Sequence, residues 1–395
     1  MPYYARKDVG GLAPDANELY YNILVKNNSV INNPGSFNSL PAIPISFQET
    51  RSNPYIGTPS DYYMSIVAFE CDTQTTPVFI CDTIPGSIDI NSTIYNVTLY
   101  NSNTGLYFTQ PVVWKPEDTT APLPPSPVPD NYNKYPYYYA SSYTWFISLV
   151  NIAIAAAYAG AGGVSTKPFI QFQDGMVSML AGKNQFHINV GVWKVFFNTA
   201  LYQLFSGFTY TYQGNYVLGG TPNKSANYLL NFDINPLGTN IVKVYTNLAE
   251  VPLSSSYNAI KMDSTFSPLP YWNPVSSIVF TAQQLDLVPE LIAKPTLYGQ
   301  GNPQYSGVNA NTDYILADYS APLITGTEYK PGISYAPLAE FRLVGLYGDK
   351  PLYSININVY WKDTFGDLHP LLLAAGGTAY IKIMFRNKNF YSKTD

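Results

Sequence analysis

The sequence predicts a mainly β protein, a sandwich or jelly roll with an additional β-rich domain and one or two short helices. Three observations carry this. Short runs rich in Val, Ile, Tyr and Phe recur along the chain, punctuated by Pro, Gly and Asn, as all-β folds require. One long uncharged segment with helical spacing interrupts them, between Tyr143 and Gly163. The length of 395 residues exceeds one ordinary core, so two or three packed units are expected.

In chain order, strands are expected at Leu19–Val25, Ile43–Glu49, Tyr62–Cys71, Val78–Cys81, Ile94–Tyr100 and Leu106–Trp114. The run IYNVTLY alternates at period two with β-branched and aromatic residues, as a half-buried strand does. A strap follows, in which Pro122, Pro124, Pro125, Pro127 and Pro129 exclude both helix and central strand. Its expected conformation is polyproline II, a spacer that crosses a surface and delivers the chain to a new layer. The alternative, a proline-rich ligand for a small adaptor domain, lacks close basic flanks.

Tyr143 to Gly163 has the length of a membrane span. Thr144, Ser148, Asn151, Ala155 and Tyr158 nevertheless form a small-and-polar stripe, opposite Phe146, Leu149, Val150 and Ala153. A packed amphipathic helix ending at Gly160, Gly162 and Gly163 is therefore preferred to a span. Next comes a hairpin over Pro168–Leu180, turned by Asp174-Gly175. Val192–Phe208 reads as strand into helix, capped by Asn198 or Thr199. Strands resume at Tyr210–Leu218, Tyr228–Phe232, Ile241–Leu248, Ser277–Thr281, Tyr314–Asp318 and Phe341–Leu346. A hairpin over residues 354–373 turns at Asp363–Gly366, and Tyr380–Phe385 is the last strand. The contiguous blocks are thus 18–116 (first β block), 117–136 (strap), 137–250 (helix-containing β region) and 251–395 (C-terminal β block).

Charged residues make up 12% of the chain, about half the usual ~25%. Polarity comes from Asn, Ser, Thr, Gln and 36 tyrosines, a composition suited to protein–protein contact. A net charge of −5 without a basic block argues against nucleic-acid binding. The first residues, MPYYARKDVGGLAPDANELYY, lack a secretory apolar region, so synthesis in a reducing compartment is expected. The sequons at Asn27, Asn91, Asn96 and Asn223 are then chance. Cys71 and Cys81 could face each other across a hairpin, but two buried free thiols are the preferred reading.

Few residues offer chemistry. The only histidines are His187 and His369, so no multi-histidine metal site exists, and the two cysteines lack zinc-ligand spacing. No nucleophile elbow or P-loop occurs, and GGTPNKS at 219–225 lacks the glycine before its lysine. Asp363, Asp367 and His369 form a weak candidate cation cluster, although Asp, Thr and Gly at a chain reversal are first of all turn formers. No carboxylate pair is singled out for glycoside hydrolysis. No enzyme activity and no cofactor are expected.

The stretches ELYYNILVKNNSV and IPISFQETRSNPYIGTPSDYYMSIVAFE resemble the N-terminal region of the penton (minor capsid) proteins of virophages and polinton-like viruses. VWKVFFNTALYQLFSGF, NINVYWKDTFGDLHPLLL and AYIKIMFRNK continue the likeness over scattered positions along most of the chain. The resemblance implies a jelly-roll capsid protein that forms a homopentamer at icosahedral vertices, beside trimers of a double-jelly-roll major capsid protein. It also implies a second β-domain, sometimes inserted, and a virion location. With the composition, it makes residues 1–17 an N-terminal arm, in which Tyr3, Tyr4 and Arg6 are candidate contact residues. Tyr137, Tyr138 and Tyr139 are candidates in the tyrosine-rich run. Three rivals are a trimeric double-jelly-roll major capsid protein, a glycan- or receptor-binding module stacking sugars on Tyr137–Tyr139 and Trp272, and a β-rich hydrolase.

Overall fold

The computed structural model describes residues 17–27, 42–72, 75–173, 175–187, 189, 191–214, 217–218, 221–232, 242–245, 259–282, 285, 287, 290–291, 296–299, 302–305, 312–320, 332–336 and 342–389. The chain forms two compact units. The first is assembled from Met1–Thr76, Val275–Pro322 and Lys330–Asp395, and the second from Pro77–Pro274 and Leu323–Tyr329. The contiguous blocks expected from the sequence do not coincide with these units. The chain leaves the first unit at Thr76, inside the first β block, and returns at Val275, inside the last. The reason is that a strand's place is set by its hydrogen-bonded partner, and the early strands find partners near the C-terminus.

The first unit opens with β1 (Glu18–Lys26), β2 (Ser46–Thr50) and β3 (Tyr62–Cys71). The second contains β4 (Ser92–Asn101), β5 (Tyr107–Val113), helix α1 (Tyr143–Gly160), β6 (Phe169–Gln173), β7 (Met176–Gly182) and β8 (Trp193–Phe197). It continues with helix α2 (Thr199–Leu204), β9 (Tyr210–Tyr212), β10 (Tyr228–Leu230), β11 (Val242–Tyr245) and β12 (Ala259–Asp263). The first unit resumes with β13 (Val275–Thr281), β14 (Ile315–Tyr319), β15 (Ile333–Tyr335), β16 (Val344–Gly345), β17 (Ser354–Asp363), β18 (Leu368–Pro370) and β19 (Thr378–Asn387).

In the first unit one sheet runs β1-β19-β3-β15, with β16 also on β3. The other runs β14-β13-β17-β18, with β2 beside β18 on the same edge of β17. All these pairs are antiparallel. In chain order the principal strands, β16 and β18 aside, pass from one sheet to the other at every step but β13 to β14, with the first beside the last and the second beside the next-to-last. That winding is a jelly roll. Phe69 of β3 meets Phe280 of β13 edge to face, ring centroids 5.0 Å apart, and Tyr319 of β14 stacks on Tyr335 of β15 at 4.0 Å. These contacts bridge the two sheets, over a core that includes Ile23, Ile355, Ile357, Val359, Ile381 and Ile383. Ile43–Glu49, expected as one strand, breaks at Ile45, whose side chain turns into the core while its amide donates to the Leu371 carbonyl at 2.9 Å.

In the second unit a five-stranded sheet runs β9-β10-β8-β4-β5 and a four-stranded sheet runs β11-β12-β7-β6. The β6–β7 hairpin sets Gln173 opposite Met176, with Gly175 at φ 76°. The expected strand Tyr210–Leu218 is divided into β9 and a two-residue strand at Val217–Leu218. Helix α1 buries Phe146, Leu149, Val150, Ala153 and Ala157, and one face of it is packed into the unit's core. Tyr158, expected on the polar stripe, is buried as well, its ring 4.6 Å from that of Trp193. The helix ends as a Schellman motif: the Gly163 amide donates to Tyr158 O and the Gly162 amide to Ala159 O, with Gly162 at φ 86°. Asn198 caps α2, its side chain accepting from the Leu201 amide at 3.1 Å.

The proline strap belongs within this second unit, where it carries the chain from β5 to α1. The Gly86 amide donates to Val128 O at 2.8 Å, and the Val128 amide donates to Ser87 O at 2.9 Å. Trp114 Nε1 donates to Tyr137 O and Trp145 Nε1 to Lys115 O, both at 2.8 Å, tying the strap's two ends to each other's flanks. The Glu117 carboxylate accepts from the Ser141 and Ser142 amides, a favourable charge at the start of α1. At the centre of the core the Trp272 ring lies 5.4–5.8 Å from those of Phe79, Tyr143, Phe146 and Phe205, and its Nε1 donates to Leu204 O at 2.6 Å.

Trp272→Ala is expected to cost about 3–5 kcal/mol, against about 1 kcal/mol for Asn198→Ala. Urea unfolding of both variants beside the unmodified chain checks the ratio.

Candidate functional site

The Asp363–His369 cluster is a turn, built by the reversal between β17 and β18. Asp363 is buried, and its Oδ1 accepts from the Phe365 and Asp367 amides at 2.8 and 2.9 Å. Its Oδ2 lies 3.0 Å from His369 Nε2, and the His369 ring stacks on Trp361 at 4.1 Å. Gly366, at φ 87°, supplies the left-handed position the reversal needs. Both carboxylate oxygens thus serve the hairpin. Asp367 enters through its amide, and among the described residues no group of three or more His, Cys, Asp or Glu could hold a metal ion.

Two further carboxylates carry tyrosine hydroxyls. In the first unit Tyr21 and Tyr55 both donate to Glu49 Oε2, while the Arg51 guanidinium lies 5.2 Å from the Tyr55 ring centre. Those hydrogen bonds, first from Tyr21 and then from Tyr55, hold the Glu49 carboxyl below its ordinary range. In the second unit Tyr95 and Tyr132 donate to the two oxygens of Asp82. Each arrangement pairs a carboxylate with phenols that burial, first of all, pushes up. Neither has a nucleophile or an imidazole among these partners, and both read as framework. Burial likewise pushes the Cys71 thiol up to about 12 and the Cys81 thiol well above its ordinary value. Both are buried free thiols and poor nucleophiles.

The tyrosines singled out in the sequence are placed differently from that expectation. The rings of Tyr137 and Tyr138 are buried, with hydroxyls donating to Asn91 Oδ1 at 2.8 Å and Ile90 O at 2.9 Å. Tyr139 is half-buried and donates to Asn133 O at 2.7 Å. Trp272 is the core residue described above. Rings inside a core present no face to a neighbouring chain or a sugar, which corrects the contact role expected of Tyr137 and Tyr138 and the stacking role expected of them and of Trp272. The physical reason is that the strap brings this run across the unit, where aromatic area is worth most when buried. Tyr3, Tyr4 and Arg6 lie outside the described residues.

The second unit also exposes several apolar and aromatic side chains. On one rim stand Leu106, Phe108, Val113 and Ile152, and on another Tyr210 and Tyr212. Sequence reasoning missed these residues, yet a signal existed. The runs 90–114, 135–166 and 195–223 contain no Asp, Glu, Lys or Arg.

A family model described as Sputnik minor capsid protein V18/19 matches residues 19–387. Two curated relatives come from Sputnik virophage. "Uncharacterized protein V18" is 31% identical over 147 residues, covering 35% of this chain and 81% of the relative. "Structural protein V19" is 28% identical over 162 residues, covering 40% and 67%. The fold is also that of a chain in the 3.5 Å cryo-EM structure of the Sputnik virophage, with a TM-score of 0.75 at 22% identity over 95% of this chain and 99% of that one. The crystal structure of the mavirus penton protein matches with a TM-score of 0.60 at 17% identity, over 94% and 99%.

Two outcomes are expected. A chromogenic thiol reagent reacts with neither cysteine in the folded protein and with both after denaturation. Because the folded Glu49 pKa is depressed, its stabilisation is complete above about 4.5 and is lost as pH falls through the lower folded value. The difference in melting temperature between Glu49→Gln and the unmodified chain therefore shrinks below that pH.

Proposed function

This chain belongs to the Sputnik minor capsid protein V18/19 family, a family of structural capsid proteins, and from that premise we propose that it builds the fivefold vertex of an icosahedral capsid as a homopentamer. The observation that carries the reading is the jelly roll of the first unit, interrupted after β3 by a second folded unit. The roll supplies the shell-forming module, and the inserted unit is the additional domain. Its capsid neighbours are trimers of a major capsid protein, and residues 1–17, with Tyr3, Tyr4 and Arg6, serve as the arm that reaches them. The net charge of −5 favours protein over genome contacts. The subunit acts as a scaffold in the virion and catalyses no reaction.

The second unit does not repeat the sheet order of the first, which weighs against a compact double jelly roll. Light scattering after size exclusion, followed by negative-stain averages, tests the reading. Rings of five times the 43.8 kDa chain are expected. Trimers with a pseudo-hexagonal outline would move the chain to the major capsid role.

A further inference from the structure

The five-stranded sheet of the second unit ends, among the described residues, in β5 on one side and β9 on the other. The β5 side is aliphatic. Leu106 is 54% exposed and Ile152, on α1, is 55% exposed, with Phe108 and Val113 beside them. Strand and helix meet so closely there that the Phe108 ring occupies the space a Cβ on Gly160 would take, at 2.4 Å. Between them lies a shallow seam of about 50 Å³ lined by Pro111, Val113, Leu149, Ile152 and Ala153, with Gln110 and the one cation, Lys115, also on its wall. The β9 side is aromatic. Tyr210 and Tyr212, 46% and 62% exposed, stand on Tyr228, which stacks on Tyr202 at 4.1 Å.

We propose that these two sides, the β5–α1 rim and the β9 tyrosine ladder, are the two halves of the contact between neighbouring copies of this chain. The inference rests on the ring reading above and deepens it. A closed ring larger than a dimer needs two different patches on each subunit, one meeting the other on the next copy. Opposite ends of one sheet supply that pair within a single rigid element. Both lie almost wholly in stretches without charged residues, 90–114, 135–166 and 195–223, so a second copy that covers them meets a single ion, Lys115, whose long side chain can keep its ammonium in water at the seam's margin. Their chemistries are complementary, with a recess among aliphatic side chains on one and a projecting aromatic, Tyr212, on the other. Exposed aromatics of this kind anchor interfaces. Pro111 within β5 has no amide to donate, which blocks open-ended strand addition and leaves the contact to side chains.

The test uses the full chain carrying Ile152→Glu on one rim, Tyr212→Glu on the other, or both. These side chains are largely exposed, so circular dichroism and melting temperature should match the unmodified chain. Each single variant should raise the half-assembly concentration about tenfold or more. Because each retains one intact rim, a one-to-one mixture should yield dimers of twice the chain mass that grow no further, whereas the double variant alone remains monomeric. Rings that form in the unmodified chain and survive all three variants would overturn this assignment while leaving the ring reading intact. An unmodified chain that stays monomeric at every concentration would overturn both. Dimers formed by the double variant would also overturn the assignment, since neither rim is then available.

Discussion

The first unit depends on β1 finding β19. Their register runs unbroken from Glu18 opposite Arg386 to Lys26 opposite Thr378. An ion pair closes one end, Arg386 Nε to Glu18 Oε1 at 2.8 Å. At the other end Asn27 bonds the Gly376 and Gly377 backbone and donates its side-chain amide to Leu373 O. Strand β19 is paired on both edges, by β1 and β3, and so forms the middle of its sheet. Because β3 pairs with the other edge of β19, it is β19 that joins β1 to β3, and without it that face of the sandwich would come apart. The entropy of closing so long a loop rises only with the logarithm of its length. That permits a second folded unit between β3 and β13, because the insert pays for its own order through its own core.

That core is aromatic, and it explains where much of the tyrosine went. Tyr95, Tyr137, Tyr138, Tyr143, Tyr158 and Tyr202 are buried in the second unit, and the hydroxyls of Tyr95, Tyr137, Tyr138, Tyr158 and Tyr202 find hydrogen-bond partners within it. Burial pushes the Tyr138 and Tyr143 phenols up to about 12, so they stay neutral and cost the core no charge. Trp272 joins the ends of several elements at once. The strap is short of regular structure but not of bonds, because both of its ends and the loop at 84–92 hold it. A stiff segment suits that task, since little chain entropy is lost on fastening it.

A capsid subunit works through surfaces, and the polar groups of this chain are arranged accordingly. Asp363 shapes a hairpin, Glu49 and Asp82 gather tyrosine hydroxyls, and Glu117 stands at the head of α1. Each of these carboxylates is engaged by donors from its own unit. Weak, uncharged contacts repeated around a symmetric shell gain strength by multiplicity. Low surface charge then becomes an asset, because repeated subunits meet their own kind and like charges would repel at every contact.

The local elements were legible in the order of the residues. Alternation placed β4 and β17, runs of aromatic and β-branched residues placed β3 and β19, uncharged helical spacing placed α1, and Asp-Gly and Asp-Thr-Phe-Gly marked two reversals, since each depends on neighbours a few residues away. The chain's low charge and scattered family stretches also pointed to a capsid role. Partnership was not legible. That β1 pairs with β19, that the unit boundary falls at Thr76 and Val275, and that the strap lies inside the second unit all depend on contacts between residues distant in the chain. The same reason misplaced the tyrosines. A Tyr in a strap looks like a Tyr on an edge strand, and only packing decided that Tyr138 is interior while Tyr212 stands in solvent.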